Sequence, residues 1–347
     1  MKKIGIIGHF GGDKEFFDGQ TIKTKNLHRA LKEALGDDAI TCVDTYEFHN
    51  KSFFFFFKAV KLIFTSKNLI MLPDENGVRV LMPFYCIMNF FLRRKLHYDV
   101  IGGWLPGFLK KHRITAWFAK RIAGIYVETT TMKKSLEQMG FDNIVLLPNF
   151  KHLVPLKKEN VGSNESRPHK LCIFSRIMEQ KGIEDAIHSV TAINENRAEI
   201  VYELDIYGQI DSGYTQRFAA LQETFPSYIR YLGIVDPEKS VEVLKDYFAL
   251  LFPTRFFTEG IPGTIIDAYA AGVPVISARW ESFADVVDHE QTGYGYEFGS
   301  NAALTQLLTE IADAPAMITG LKKNCLKKAQ DYMPAKAIEI LQQRMEG

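Results

Sequence analysis

Residues 250–278 read LLFPTRFFTEGIPGTIIDAYAAGVPVISA, and the fold turns on how they divide. Leu250 to Phe252 closes an apolar run of strand length, and Pro253 to Gly263 is a loop with polar residues, Gly and Pro. An Ala-rich helical stretch then stops at Gly272, and Val273 to Ser277 is a second buried strand. Strand, loop, helix and strand in this order make one repeat of a parallel α/β sheet. The loop carries Glu259 ahead of Gly260, Ile261, Pro262 and Gly263; Thr264 follows, and Asp267 falls in the first turns of the helix. A helix start offers N–H groups without intrahelical partners and the positive end of the dipole, so an anion fits there. Carboxylates do not serve that anion, but they accept hydrogen bonds from hydroxyls. Phosphate and sugar on one ligand would suit both features. Taken alone, the two acids read more readily as a loop acid and a helix-start acid favoured by the dipole, and the rest of the chain has to overturn that reading.

The length of 347 residues exceeds a usual single core, which predicts two domains. Hydrophobic content of 46% with 24% charged residues is that of a soluble globular protein rather than a fibrous or disordered one. Cys42, Cys86, Cys172 and Cys325 are far apart and form no CxxC pair, so neither a zinc ribbon nor a disulfide framework is expected. The start MKKIGIIGHF has too short an apolar run for a secretory segment and reads as a first strand, consistent with a cytoplasmic location. The net charge of +1 is unevenly spread: of the 42 Lys and Arg, 22 lie in residues 1–150, with only 14 of the 41 Asp and Glu. A basic first half beside an acidic second half suggests two units that meet different partners.

Along the chain, strands are predicted at Lys3 to Ile7, Ile40 to Val43, Asn68 to Leu72, Val78 to Met82, Tyr98 to Ile101, Gly124 to Glu128 and Ile144 to Leu147. Helices fall at Thr21 to Leu35 and Thr129 to Met139. Gly11 and Gly12, after the first strand, form a phosphate-cradle candidate, but the motif is weak and by itself reads more readily as a tight β–α turn. Residues 151–169 are polar and without periodicity, a linker between a domain of residues 1–150 and one of residues 170–333. The second half repeats the pattern. Lys170 to Phe174, Tyr202 to Tyr207 and Ile229 to Leu232 are strands, with helices at Ile183 to Ile193, Thr215 to Glu223 and Val241 to Tyr247. The class is therefore α/β, with doubly wound Rossmann-like domains. Arg176, Lys181, Gly208, Gly233 and Glu259 all follow strands, where ligands of open α/β sheets bind.

Phe53 to Phe57 stand in a row, and Pro83 to Leu92 is a second apolar run ending at Arg93-Arg94-Lys95. Neither reaches the roughly 20 residues that span a bilayer. Two readings stay open: core helices with basic flanks, or segments lying in an anionic membrane surface.

The stretches FSRIMEQKGIEDAI and FFTEGIPGTIIDAYAAGVPVIS, with LDIYGQ, YLGIV, LLPNF and the early GHFGG loop, resemble the retaining GT-B glycosyltransferases of the large group usually called family 4, or group 1. GQTIKT, NGVRV, IGGWLP and GIYVETTTMKK are similar to bacterial transferases that build surface polysaccharides. The resemblance implies a GT-B fold, two Rossmann-like domains facing across a cleft, with the acceptor on residues 1–150 and a nucleotide-sugar donor on residues 170–333. It also implies that a C-terminal helix, residues 334–347, packs back on the first domain. The implied activity is metal-independent transfer of a hexosyl group, with retention, from a nucleotide-diphosphate sugar to a saccharide or lipid-linked acceptor in surface polysaccharide biosynthesis. No cofactor is implied and no nucleic-acid partner, and the enzyme would act in the cytoplasm or on the inner membrane face. By the same resemblance Arg176 and Lys181 meet the diphosphate with the amides near Gly263 and Thr264, and Glu259 holds donor-sugar hydroxyls. Gly208, Gly233, Gly260, Ile261 and Pro262 line the donor, Asp267 reads the ribose, and Gly11 and Gly12 approach from the first domain. The family has Glu where this chain has Asp267, one methylene shorter. Two other classes are a nucleotide-sugar epimerase, for which His9, His49, His112 and His289 form no evident set, and a non-catalytic membrane-bound module that keeps the fold.

Overall fold

The computed structural model describes every residue except 1, 15, 17, 47, 49–51, 163–165 and 347, and only the backbone of Lys2, Ser52, Phe53 and Glu346. The chain forms two compact units: Met1–His152 with Tyr332–Gly347, and Leu153–Asp331.

The first unit is a parallel sheet of six strands, β1 (Lys2–Gly8), β2 (Ile40–Asp44), β3 (Ser66–Leu72), β4 (Lys95–Asp99), β5 (Gly124–Val127) and β6 (Ile144–Leu146), in the order β2-β1-β3-β4-β5-β6. Successive strand residues point to opposite faces, and here both faces are covered, as parallel sheets require. Ile7, Leu69, Met71 and Tyr98 pack under the helices Ser52–Thr65 and Glu75–Leu92. Ile4, Ile6, Ile70 and Leu72 pack under the helix Gly19–Leu35 together with Ala337, Ile338 and Leu341 of the last helix, Pro334–Glu346.

Val78 to Met82 corrects a strand expectation: these residues lie inside the helix Glu75–Leu92. Asp74 caps that helix by accepting the N–H of Gly77 at 2.7 Å, so the segment between the two expected strands starts a helix instead. Val78, Leu81, Met82 and Tyr85 then share the buried stripe at helical spacing. The fourth strand also lies earlier than expected, at Lys95–Asp99 rather than Tyr98 to Ile101.

At the carboxyl ends of β4 and β5 a charged cluster is fully enclosed. The Lys23 ammonium lies 2.8 Å from Asp99 and 2.9 Å from Glu128, and it donates to the carbonyl of Val100 at 2.6 Å. Burial pushes the Asp99 carboxyl up to about 6, against the pull of Lys23. For Lys23 burial acts downward, but the charges of Asp99 and Glu128 outweigh it and raise its pKa.

The second unit is also a six-stranded parallel sheet: β7 (His169–Phe174), β8 (Tyr202–Tyr207), β9 (Ile229–Gly233), β10 (Ala249–Phe252), β11 (Val275–Ala278) and β12 (Gly293–Tyr296), in the order β12-β11-β10-β7-β8-β9. Leu171, Ile173, Leu204, Ile206 and Leu251 pack with residues of the helices Ile183–Glu195 and Asn301–Asp313. The chain runs outward from β7 to β9 and returns to β10 on the other side of β7. The strand order therefore reverses between β7 and β10, which makes that pair the switch point of the sheet. Ahead of β7 the polar segment is tied down at intervals: Lys151 N–H donates to the carbonyl of Tyr332 at 3.1 Å and Leu156 N–H to that of Ala270 at 2.8 Å. Among the described residues no helix is long and apolar enough to cross a membrane.

Candidate functional site

At the switch point, the loops that leave β7 and β10 are pressed together. Gly182, with φ of 67°, ends the turn Glu179–Lys181, and a Cβ there would lie 1.9 Å from the carbonyl oxygen of Pro253. Arg255 N–H donates to the carbonyl of Gln180 at 2.8 Å, a second clamp between the same loops. Only glycine permits that approach and that φ together. Across the clamp, Lys181 donates to Glu259 Oε1, and Glu259 Oε1 also accepts from the Thr254 hydroxyl at 3.0 Å. The ammonium lies 5.4 Å from the ring centre of Phe252 and 5.1 Å from that of Phe256, within cation–π range. The two side chains are only 17% and 16% exposed, so the pair is partly enclosed but reachable.

Arg176 sits on the same loop, nearer β7, and is half exposed. Its partner is Asp211, at 3.1 Å, from the loop after β8. These two loops are zippered: Ile177 N–H donates to Gln209 O, and Asp211 N–H to Ile177 O, both at 2.9 Å. Gly208, with φ of 140°, makes the zipper possible, because a Cβ there would lie 1.8 Å from Ser175 O. Its N–H donates to the carbonyl of Gly233 at 2.8 Å, which carries the row of strand ends on to β9.

The helix Gly263–Ala270 begins behind Gly260, Ile261 and Pro262. Pro262 holds the N-cap position in an extended conformation without a side-chain cap. In the first turn, Ile265 and Ile266 N–H donate to the carbonyl of Pro262 at 3.0 and 3.4 Å, and the amides ahead of them, Gly263 and Thr264, have no intrahelical acceptor. The Thr264 hydroxyl in that turn is buried and has no hydrogen-bond partner among the described residues. Asp267 is 2% exposed and accepts the Ser240 hydroxyl at 3.0 Å, so its carboxylate already receives a hydroxyl from the neighbouring helix Ser240–Leu244.

The sheet thus brings Arg176, Lys181, Gly208, Gly233, Glu259 and the start of the Gly263 helix to one edge. Gly11 and Gly12 lie in the first unit, after β1, with φ of 92° and 56°. There the carboxylate of Asp44, at the end of β2, accepts from Phe10 N at 2.9 Å and from Gly12 N at 2.7 Å. Two amides of the candidate cradle are therefore filled by an internal anion. Of the four histidines considered for acid–base work, His9 and His112 lie in the first unit, His289 in the second, and His49 outside the described residues. Among the described residues no three His, Cys, Asp or Glu side chains gather as a metal site would require.

Sequence reasoning missed Asp211, Thr254 and Asp44, and it did not foresee the aromatic walls around Lys181. Asp211 and Asp44 follow strands at positions where a carboxylate can reach a neighbouring loop. That placement is the one signal that could have singled them out, and it is shared by many loop acids.

Residues 168–314 match the family described as Glycosyl transferases group 1. Over 154 residues the chain is 21% identical to the amylovoran biosynthesis glycosyltransferase AmsK of Erwinia amylovora, an alignment that covers 43% of this chain and 37% of that protein. The match thus spans well under half of the relative's length. In architecture the chain is similar to HepE of Anabaena, crystallised in complex with UDP and glucose, with a TM-score of 0.73 at 13% identity and both chains covered in full. It is likewise similar to sucrose-phosphate synthase of Thermosynechococcus elongatus, with a TM-score of 0.75 at 17% identity over 100% and 99% of the two chains. The structural likenesses establish a GT-B fold, and the family match is confined to residues 168–314.

Proposed function

We propose that the protein is a retaining, metal-independent glycosyltransferase that moves a hexosyl group from a nucleotide-diphosphate sugar to a saccharide acceptor, lipid-linked, in bacterial surface polysaccharide assembly. The observation that carries the reading is the Lys181–Glu259 pair at the switch point, because it places a cation and a hydroxyl acceptor on touching loops where an α/β sheet takes its ligand. The group 1 match over the same residues agrees with a donor site in the second unit, and the UDP and glucose bound by HepE agree with a nucleotide-sugar donor.

In this reading the diphosphate exchanges Lys181 and Arg176 away from their carboxylate partners, and both cations offset the charge that develops as the bond from the anomeric carbon to the phosphate oxygen breaks. One preorganised donor aimed at such charge contributes about 3 kcal/mol to the transition state. The amides of Gly263 and Thr264, with the unpartnered Thr264 hydroxyl, add hydrogen bonds at the helix start. Glu259, released from Lys181, accepts the sugar hydroxyls, and Asp267 holds the ribose. Gly208, Gly233, Gly260, Ile261 and Pro262 line the donor, and the first unit takes the acceptor. In front-face attack the acceptor hydroxyl bonds the anomeric carbon on the side from which the diphosphate leaves, and the departing phosphate oxygen takes the hydroxyl's proton, so the configuration is retained without a protein base. The reaction would run in the cytoplasm.

The test is a panel of nucleotide-sugars with no acceptor. Slow release of nucleoside diphosphate from one donor, lowered about a hundredfold by Lys181→Ala, is the expected result. An isomerised donor would identify an epimerase, and binding without turnover a non-catalytic module.

A further inference from the structure

The helices Ser52–Thr65, Glu75–Leu92 and Arg113–Ala119 pack in sequence over one face of the first sheet, and their outward sides are unlike those of ordinary covering helices. A covering helix buries one apolar stripe and turns a polar face to water. The helix Glu75–Leu92 buries Val78, Leu81, Met82 and Tyr85, yet Val80, Ile87 and Phe91 form a second stripe that is 50%, 62% and 86% exposed. The helix Ser52–Thr65 buries Phe55, Ala59, Leu62 and Ile63 and exposes Phe54, Phe57 and Phe64 beside Lys58 and Lys61. Between the second and third helices runs an apolar groove of about 510 Å³, lined by Ile87, Phe90, Phe91, Leu96, Trp117 and Arg121. Arg121 stacks on the Trp117 ring at 3.6 Å.

Charge on this layer is predominantly positive. Lys58, Lys61, Arg79, Arg93, Arg113 and Arg121 are exposed, while the exposed acids of residues 54–121 are Asp74 and Glu75, both at the start of one helix. Exposed aromatics of this extent mark an interaction surface. A second copy of the chain laid on the same face would set these cations against each other, which costs binding energy. Anionic headgroups complement them, and the aromatic side chains reach the depth at which interfacial helices insert.

We infer that this helical layer is a docking surface for an anionic phospholipid bilayer: Phe54, Phe57, Phe90, Phe91 and Trp117 enter the acyl boundary while Lys58, Lys61, Arg93 and Arg121 meet the phosphates. It anchors the first unit peripherally. The inference does not depend on the transferase reading.

Sedimentation of the full chain with vesicles tests it. Vesicles containing phosphatidylglycerol are expected to retain the protein, and vesicles of phosphatidylcholine alone to leave it in the supernatant. Added salt is expected to weaken retention. Lys58→Gln with Lys61→Gln and Arg93→Gln should lower partitioning on the order of a hundredfold, at roughly fivefold per charge. Phe90→Ser with Phe91→Ser should lower it about tenfold or more. Both variants should keep the wild-type circular dichroism spectrum and any soluble donor hydrolysis. Three results would overturn the inference: wild-type protein that ignores phosphatidylglycerol, variants that bind as the wild type does, or a solution dimer that Phe90→Ser with Phe91→Ser converts to monomer.

Discussion

Lys181 and Glu259, 78 residues apart, are bonded to each other across the loops that leave β7 and β10. The pair depends on two backbones in contact at Gly182 and Pro253. It therefore reports both on the sheet topology and on the chemistry at its edge.

Removing one partner separates these roles. Lys181→Ala should lower donor turnover about a hundredfold, the worth of one preorganised donor. Glu259 would keep the Thr254 hydroxyl and is itself partly exposed, so the stability cost should stay near 1 kcal/mol. Steady-state kinetics with a urea melt of the same sample checks both numbers. Unchanged turnover would remove Lys181 from the site.

The backbone contact should matter more to folding than the ion pair. Gly182→Ala would place a methyl group 1.9 Å from Pro253 O at a positive φ, and it is expected to cost on the order of 3 kcal/mol and to lower turnover as the loops part. Gly107→Ala, in an exposed helix position with no atom within 4 Å of the added Cβ, should be neutral or stabilising by up to about 1 kcal/mol. Chemical denaturation midpoints of the two variants give the comparison.

A pH dependence is expected from Asp99. Its carboxyl is raised by burial to about 6, so between the ordinary carboxylate range and pH 6 the folded chain binds a proton that the unfolded chain has released. This group's contribution is therefore most favourable near pH 4 and declines as pH rises through 6, by on the order of 2–3 kcal/mol. Asp99→Asn removes the titration. The stability of wild type relative to Asp99→Asn should be greater at pH 4 than at pH 7, measured by urea unfolding at both. An equal difference at the two pH values would contradict the raised carboxyl.

If Arg176 and Lys181 supply the positive charge for diphosphate departure, transfer should survive prior dialysis against a chelator with less than a twofold loss. Arg176→Ala, which also frees Asp211, should lower turnover about tenfold to a hundredfold. Turnover that collapses with chelation and returns with a divalent ion would overturn the metal-independent reading.

The sequence by itself determined the class. Apolar runs of strand length alternating with helical stretches can bury both faces only in parallel sheets, and glycine after a strand marks where backbones approach; Gly208 is such a position. The candidate residues of the second unit were visible for the same reason, since Arg176, Lys181 and Glu259 all follow strands. Local pattern could not decide Val78 to Met82, where an alternating run beside Asn-Gly suits a strand until the Asp74 cap and the buried stripe select a helix. Nor could it decide which aromatics of residues 53–91 face the core, because a row of phenylalanines has no period of its own and only the packing of neighbouring helices divides Phe55 from Phe54 and Phe57. The partners of the site residues were equally hidden. Asp44 in the glycine loop, Asp211 on Arg176 and Ser240 on Asp267 are joined by hydrogen bonds and ion pairs between segments far apart in sequence, and strand order alone brings those segments together.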